Sequence, residues 1–300
     1  MDTRPEQRLL KLSIGITIVV GVVGIASGLL VNSDAIIFDG MYSLVDVVLT
    51  VASLSVSRLV AYEGSRRFQF GYWHLEPMVE AFGGATLALS CLYAAFTAII
   101  GLTSGGNEVS YGLGALWAGI LCVVGMGMSA YMRGHARRLG SNLLALDARA
   151  WLVSGSLSLA LLLGFAVAVS MKGTGHDAWV PFIDPAILLC IALAMLAVPM
   201  RSTWRAIREV LQVAPGDLDR EVKQVMDEVV AEHGFLEYSS HVAKVGRGRF
   251  VEILILVPAD HQIGPISRVD AIRRDIAARL GADRPQFWLT IEFTGDRSWM

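Results

Sequence analysis

Long apolar runs, broken by short polar stretches, fill the first two thirds of the chain. Six of them, residues 12–31, 35–54, 78–102, 113–132, 150–171 and 182–200, approach the ~20 mostly apolar residues that a helix needs to cross a bilayer. They predict six transmembrane helices. Arg66 and Arg67 fall between the second and third, Gly105, Gly106 and Asn107 between the third and fourth, and Gly173, Gly175 and His176 between the fifth and sixth, all in stretches that read as loops. After Pro215 the period changes. Val222, Val225, Met226, Val229 and Val230 form a helical stripe within residues 217–233, the mark of an amphipathic helix. Residues 241–244 and 250–257 read as strands around a Gly246-Arg247-Gly248 turn, 266–280 as a second helix and 286–293 as a last strand. The fold class is therefore a membrane all-α six-helix transmembrane domain (residues 1–212) plus a small cytosolic α+β domain (residues 213–300). The second is of αββαβ, ferredoxin-like or metallochaperone-like order, with two helices covering one face of a three-stranded sheet.

Composition agrees with lipid as the solvent of the first part. Of 300 residues, 54% are hydrophobic and 17% charged, with a mean hydropathy of +0.54; a soluble domain has roughly 45–50% apolar and about 25% charged residues. A formal net charge of −2 gives no reason to expect nucleic acid as a partner. Cys91, Cys122 and Cys190 all lie inside apolar runs and read as small packing residues. The first apolar run is a full span without a small-residue cleavage site, so no cleavable signal peptide is expected. Arg4, Arg8, Lys11, Arg58, Arg66, Arg67, Arg133, Arg137, Arg138, Arg201, Arg205 and Arg208 fall on one side of the six spans and Lys172 alone on the other. By the positive-inside rule both termini are cytosolic.

Ionisable residues inside a span cost about 2.5 kcal/mol or more and point to function. In the second helix Asp39, Tyr42, Ser43 and Asp46 stand at i, i+3, i+4 and i+7, on one helical face. All four offer oxygen. The bland alternatives are a protonated or arginine-paired Asp46 and a Tyr42 that is an interior aromatic with a satisfied hydroxyl. Asp34 reads as a helix cap or interfacial residue, and Asp184-Pro185 as the capped first turn of the sixth helix. On the fifth helix Asp147 and Arg149 lie near the cytosolic boundary. Further along, Ser154, Gly155, Ser156 and Ser158 mark close helix packing, with Ser154 or Ser158 a candidate ligand. His74 and Glu76, before the third helix, are either an access route for protons or ions or part of an interfacial anchor.

With the six-helix architecture, these motifs resemble the cation diffusion facilitator family of proton-coupled metal exporters. The family's Asp-Ala-x-(His or Asp)-Ser-Leu-x-Asp is matched by Asp39-Gly40-Met41-Tyr42-Ser43-Leu44-Val45-Asp46. Its Phe-Gly-His-x-x-x-Glu is matched by Phe70, Gly71 and Glu76, and its acidic residue at the start of the fifth helix by Asp147. The resemblance covers essentially the whole chain and implies that Tyr42, Asp46, Ala150 and Ser154 occupy the four metal-ligand positions, three of them altered. It also places Tyr72 where the family has a histidine, and Glu292 as the nearest acidic survivor of the C-terminal metal ligands. Zinc favours imidazole, thiolate and carboxylate in a tetrahedral shell, yet no histidine falls in any of the six spans. A metal site drawn from Asp46, Tyr42, Asp39, Ser43, Ser154 and Asp147 is all oxygen and suits harder ions such as Mn²⁺, Mg²⁺ or Na⁺.

The resulting expectation is a transporter, not an enzyme, that carries a transported cation and holds no prosthetic group. It would be an exporter: a homodimer in the lipid bilayer of a prokaryotic plasma (inner) membrane, exchanging a divalent metal ion for protons by alternating access. Exchange of a monovalent cation for protons, or loss of transport in favour of a role as membrane-bound partner or sensor, are the alternatives.

Overall fold

The computed structural model describes residues 4–60, 71–139, 142–246, 248–259, 262, 264–282 and 287–300. Six helices come first: α1 (Arg4–Val31), α2 (Asp34–Val60), α3 (Leu75–Thr103), α4 (Tyr111–Leu139), α5 (Asn142–Met171) and α6 (Ile183–Val210), with a 3₁₀ segment Asp177–Phe182 leading into α6. All six are long and apolar enough to cross a membrane. Then follow α7 (Gly216–His233), β1 (Glu237–Val245), β2 (Gly248–Leu256), α8 (Ile266–Arg279) and β3 (Phe287–Thr294). The expected fold class is thus the observed one. The expected loop at Arg66 and Arg67 lies outside the described residues.

The chain divides into two compact units, Met1–Ala52 with Gly83–Arg201, and Ser53–Phe82 with Ser202–Met300. In the first, the core is built around Ile36, Cys91, Tyr111, Leu161, Phe165 and Leu188. Leu30, Val123 and Val198 are among the large apolar side chains left on the outside, a surface that water penalises and lipid covers at no cost. Two crossings depend on glycine. A Cβ on Gly125 of α4 would stand 2.7 Å from the Cα of Gly155 on α5, and one on Gly28 of α1 would stand 2.8 Å from the backbone nitrogen of Ile37 on α2. One turn beyond Gly125, Ser129 Oγ donates to the carbonyl of Ala148 at 2.8 Å, so α4 and α5 touch backbone to backbone and are also hydrogen-bonded.

In the second unit β1 pairs antiparallel with β2, and β2 parallel with β3, in the order β1-β2-β3. Val251, Ile253 and Ile255 alternate along β2 and meet Val222, Met226 and Val229 of α7 and Ile276 of α8, a half-covered sheet with period-two burial. β1 begins earlier than its apolar residues suggest. Glu237, Tyr238, Ser239 and Ser240 pair with Leu256, Ile255, Leu254 and Ile253, so a polar edge segment is ordered by the buried strand beside it.

The same unit holds the end of α2, the start of α3 and the end of α6. Arg205 and Ser202 of α6 both bond Glu80 of α3. Glu209, near the end of α6, accepts from Lys244 Nζ at 3.0 Å and from the backbone N–H of Gly246 at 3.2 Å. Gly246 has a φ of +58°, and a Cβ there would stand 2.8 Å from both Glu76 Oε2 and the carbonyl of Trp73. The β1–β2 turn therefore seats against the segment that opens α3, in a place only glycine fits.

Candidate cation site

The α2 stripe is present as the spacing requires, with Asp39, Tyr42 and Ser43 half-buried and Asp46 exposed. Ser43 Oγ donates to the carbonyl of Asp39 at 2.9 Å, which commits its hydrogen to the helix and leaves its oxygen able to accept. The Tyr42 ring lies 5.8 Å from that of Phe38 and packs against the core that contains Cys91. Asp39 and Asp46 are seven residues apart on α2, roughly 10 Å of helical rise. A single cation bonded to oxygens at about 2.0–2.6 Å cannot reach both. The stripe is a ladder of oxygen positions along one helix, with Tyr42 between the two carboxylates.

Asp147 belongs to a different cluster. Its Oδ1 accepts from Ser13 Oγ of α1 at 2.9 Å, and Ser13 Oγ in turn accepts from the indole Nε1 of Trp151 at 2.7 Å. Its Oδ2 is buried without a hydrogen-bond partner, an uncommon state for a buried carboxylate oxygen. Ser154 is half-buried on α5 and its carbonyl accepts from Ser158 Oγ at 3.1 Å. Among the described residues no three His, Cys, Asp or Glu side chains gather as a metal site.

His74 is exposed and lines a cavity of about 810 Å³ with Asp219, His241, Phe250 and Glu252, whereas Glu76 sits against Gly246. Phe70, the first residue of that motif, lies outside the described residues. Sequence reading left Asp34 and Asp184 as separate caps. The structure brings them together: Asn107 Nδ2 donates to Asp34 Oδ2 at 2.8 Å and reaches Asp184 Oδ2 at 3.4 Å. The only sequence signal for this was their shared position at the ends of spans that face the same side.

Six spanning helices, a carboxylate ladder on α2 and an α+β tail describe a transporter architecture, and the family model for the cation efflux transmembrane domain matches residues 10–211. The chain belongs to the cation efflux family. It is an integral membrane protein and a cation transporter, the class to which its family belongs. It is also similar to the magnetosome protein MamB of Magnetospira sp. (strain QH-2), with 25% identity over 280 residues, 90% of this chain and 88% of that protein.

The positions that the family resemblance assigns as ligands allow a direct test of that assignment. Ala150→His with Ser154→Asp places imidazole and carboxylate four residues apart on one face of α5, the soft-plus-hard pair that zinc prefers. The double variant should shift transport preference toward zinc over manganese, read as the ratio of initial uptake rates in proteoliposomes. An unchanged ratio would show that these positions do not face the ion.

Proposed function

We propose that the protein exports a divalent metal cation from the cytosol in exchange for protons, by alternating access, as a homodimer. The observation that carries this reading is the spacing of Asp39, Tyr42, Ser43 and Asp46 along one face of α2. A carboxylate holds either a proton or a cation, so competition at Asp46 couples the two fluxes. The transition between sides lets Asp46 trade one for the other. Ladder positions that cannot share an ion suit passage in steps with weak binding at each, and all-oxygen ligands favour Mn²⁺ or Mg²⁺ over zinc. In this reading residues 1–212 carry transport, residues 213–300 dimerise and regulate it, and His74 and Glu76 serve proton or ion access.

The changes at Tyr42, Ala150 and Ser154 support a second reading, in which transport is lost and the chain serves as a membrane-bound partner or sensor. Proteoliposomes containing a pH-sensitive dye, challenged in turn with Mn²⁺, Mg²⁺, Co²⁺, Zn²⁺ and Na⁺, separate the possibilities. Proton flux with divalent ions supports the first, flux with Na⁺ alone points to monovalent exchange, and none with any ion supports the second.

In this reading both termini are cytosolic, which the basic-residue asymmetry supports, and the membrane is a prokaryotic inner membrane; because MamB is named as a magnetosome protein, an internal bacterial membrane is the other address to examine by fractionation. A tag at either terminus should be reachable only from the cytosol, and Gly175→Cys should react with an impermeant thiol reagent only from outside. Reaction of Gly175→Cys from the cytosolic face would reverse the assigned orientation.

A further inference from the structure

The most heavily bonded polar cluster in the membrane unit lies away from the α2 ladder. Asp184, at the start of α6, is 0% exposed. Its Oδ1 accepts from Ser33 Oγ at 2.5 Å and its Oδ2 accepts from the backbone N–H of Asp34 at 3.1 Å. Ser33 Oγ also accepts from the N–H of Ile36 at 3.3 Å, so it caps α2 in the usual way, while Asp184 caps the same helix end from another helix. Asn107, in the α3–α4 loop, adds the third strand: besides its amide bonds to Asp34 and Asp184, its backbone N–H donates to the carbonyl of Pro181 at 2.8 Å. Among the described residues no lysine, arginine or histidine forms an ion pair with either carboxylate.

We propose that Asp184, with Ser33, Asp34 and Asn107, forms a clasp that ties the first turn of α2 to α6 and the α3–α4 loop, and that this clasp opens when the cation leaves on that side. Asp184 is a positioning residue here, acting through the helix it holds. Two features make the clasp a switch. Two carboxylates share one amide without a cation between them, so their repulsion opposes the hydrogen bonds that hold it shut. It also grips the helix that bears the ladder, since Asp39 follows Asp34 by five residues, about 7.5 Å of rise. Movement of that end carries Asp39 and Tyr42 with it. The membrane face concerned is the one on which α1 ends and α2 begins, shared by the α3–α4 and α5–α6 connections.

The inference rests on the alternating-access reading, and its test separates the two. Ser43→Cys in otherwise native protein is labelled in proteoliposomes with an impermeant thiol reagent from each face, the parent with Cys91, Cys122 and Cys190 giving the background. The outer face is identified by Gly175→Cys. Without added cation, Asn107→Ala and Asp184→Ala should raise labelling of Ser43→Cys from the outer face about five- to tenfold, the scale on which loss of one hydrogen-bonded partner moves a two-state equilibrium. Labelling from the opposite face should fall. If Asp184→Ala fails to fold, Asn107→Ala, a loop change, carries the test. A merely structural cluster would lower folded yield and leave the ratio of labelling between faces unchanged, and that result in monodisperse protein overturns the clasp. Failure of Mn²⁺ to change the ratio in unaltered Asn107 and Asp184 protein would instead count against alternating access.

Discussion

Asp46→Asn should abolish cation-driven proton flux while leaving the protein folded. Asp46 is exposed on α2 and makes no hydrogen bond or ion pair among the described residues, so the isosteric amide disturbs no packing and should change stability by no more than about 0.5 kcal/mol. What it removes is the charge that attracts a cation and the oxygen that exchanges a proton. Losing a bond to a charged group costs about 1.5–3 kcal/mol, and that corresponds to a fall of roughly 10- to 100-fold in occupancy at subsaturating ion. Tyr42→Phe makes the contrast, because it deletes one neutral oxygen worth about 1 kcal/mol and should weaken apparent affinity roughly fivefold with turnover retained. Both are read as initial dye-reported fluxes against cation concentration, with monodispersity in detergent as the folding control. Full flux in well-folded Asp46→Asn protein would remove this carboxylate from the pathway; low folded yield would make it structural.

The ladder was legible because a helix repeats itself locally: residues at i, i+3, i+4 and i+7 share a face whatever surrounds them. The six spans were legible for a similar reason, since bilayer thickness sets the length of each apolar run. Their ends were less so. The fourth span was expected over 113–132, but α4 continues to Leu139 because Arg133, Arg137 and Arg138 sit in the polar zone at the helix end, where hydropathy stops reporting helix. Contacts between distant segments left no periodic trace. Ser13 and Asp147 are 134 residues apart and Ser33 and Asp184 are 151 apart, and each pair contains residues with a sufficient local explanation as caps or boundary charges. The start of β1 was hidden for a third reason, that its order comes from the buried partner strand and not from its own side chains.

Gly155→Leu should strongly destabilise the fold. A Cβ at Gly155 would stand 2.9 Å from the backbone nitrogen of Met126 and 3.1 Å from the carbonyl carbon of Gly125. Neither neighbour is a side chain that can turn away, so the two helices must separate. Overpacking of this kind costs typically 1–3 kcal/mol and more when backbone has to move, and in lipid the lost van der Waals contact has no hydrophobic compensation. Separation would also stretch the bond from Ser129 to the Ala148 carbonyl and shift the segment of α5 that carries Asp147 and Ser154. Gly127→Leu is the matched control, because a Cβ at Gly127, two residues from Gly125 on α4, meets nothing within 4 Å and its added side chain faces open space. Thermal unfolding in detergent should show a large fall in Tm or no monodisperse protein for Gly155→Leu, a smaller loss for Gly155→Ala, and a near-parental Tm for Gly127→Leu. Equal stability of the two leucine variants would mean that α4 and α5 do not cross through these glycines.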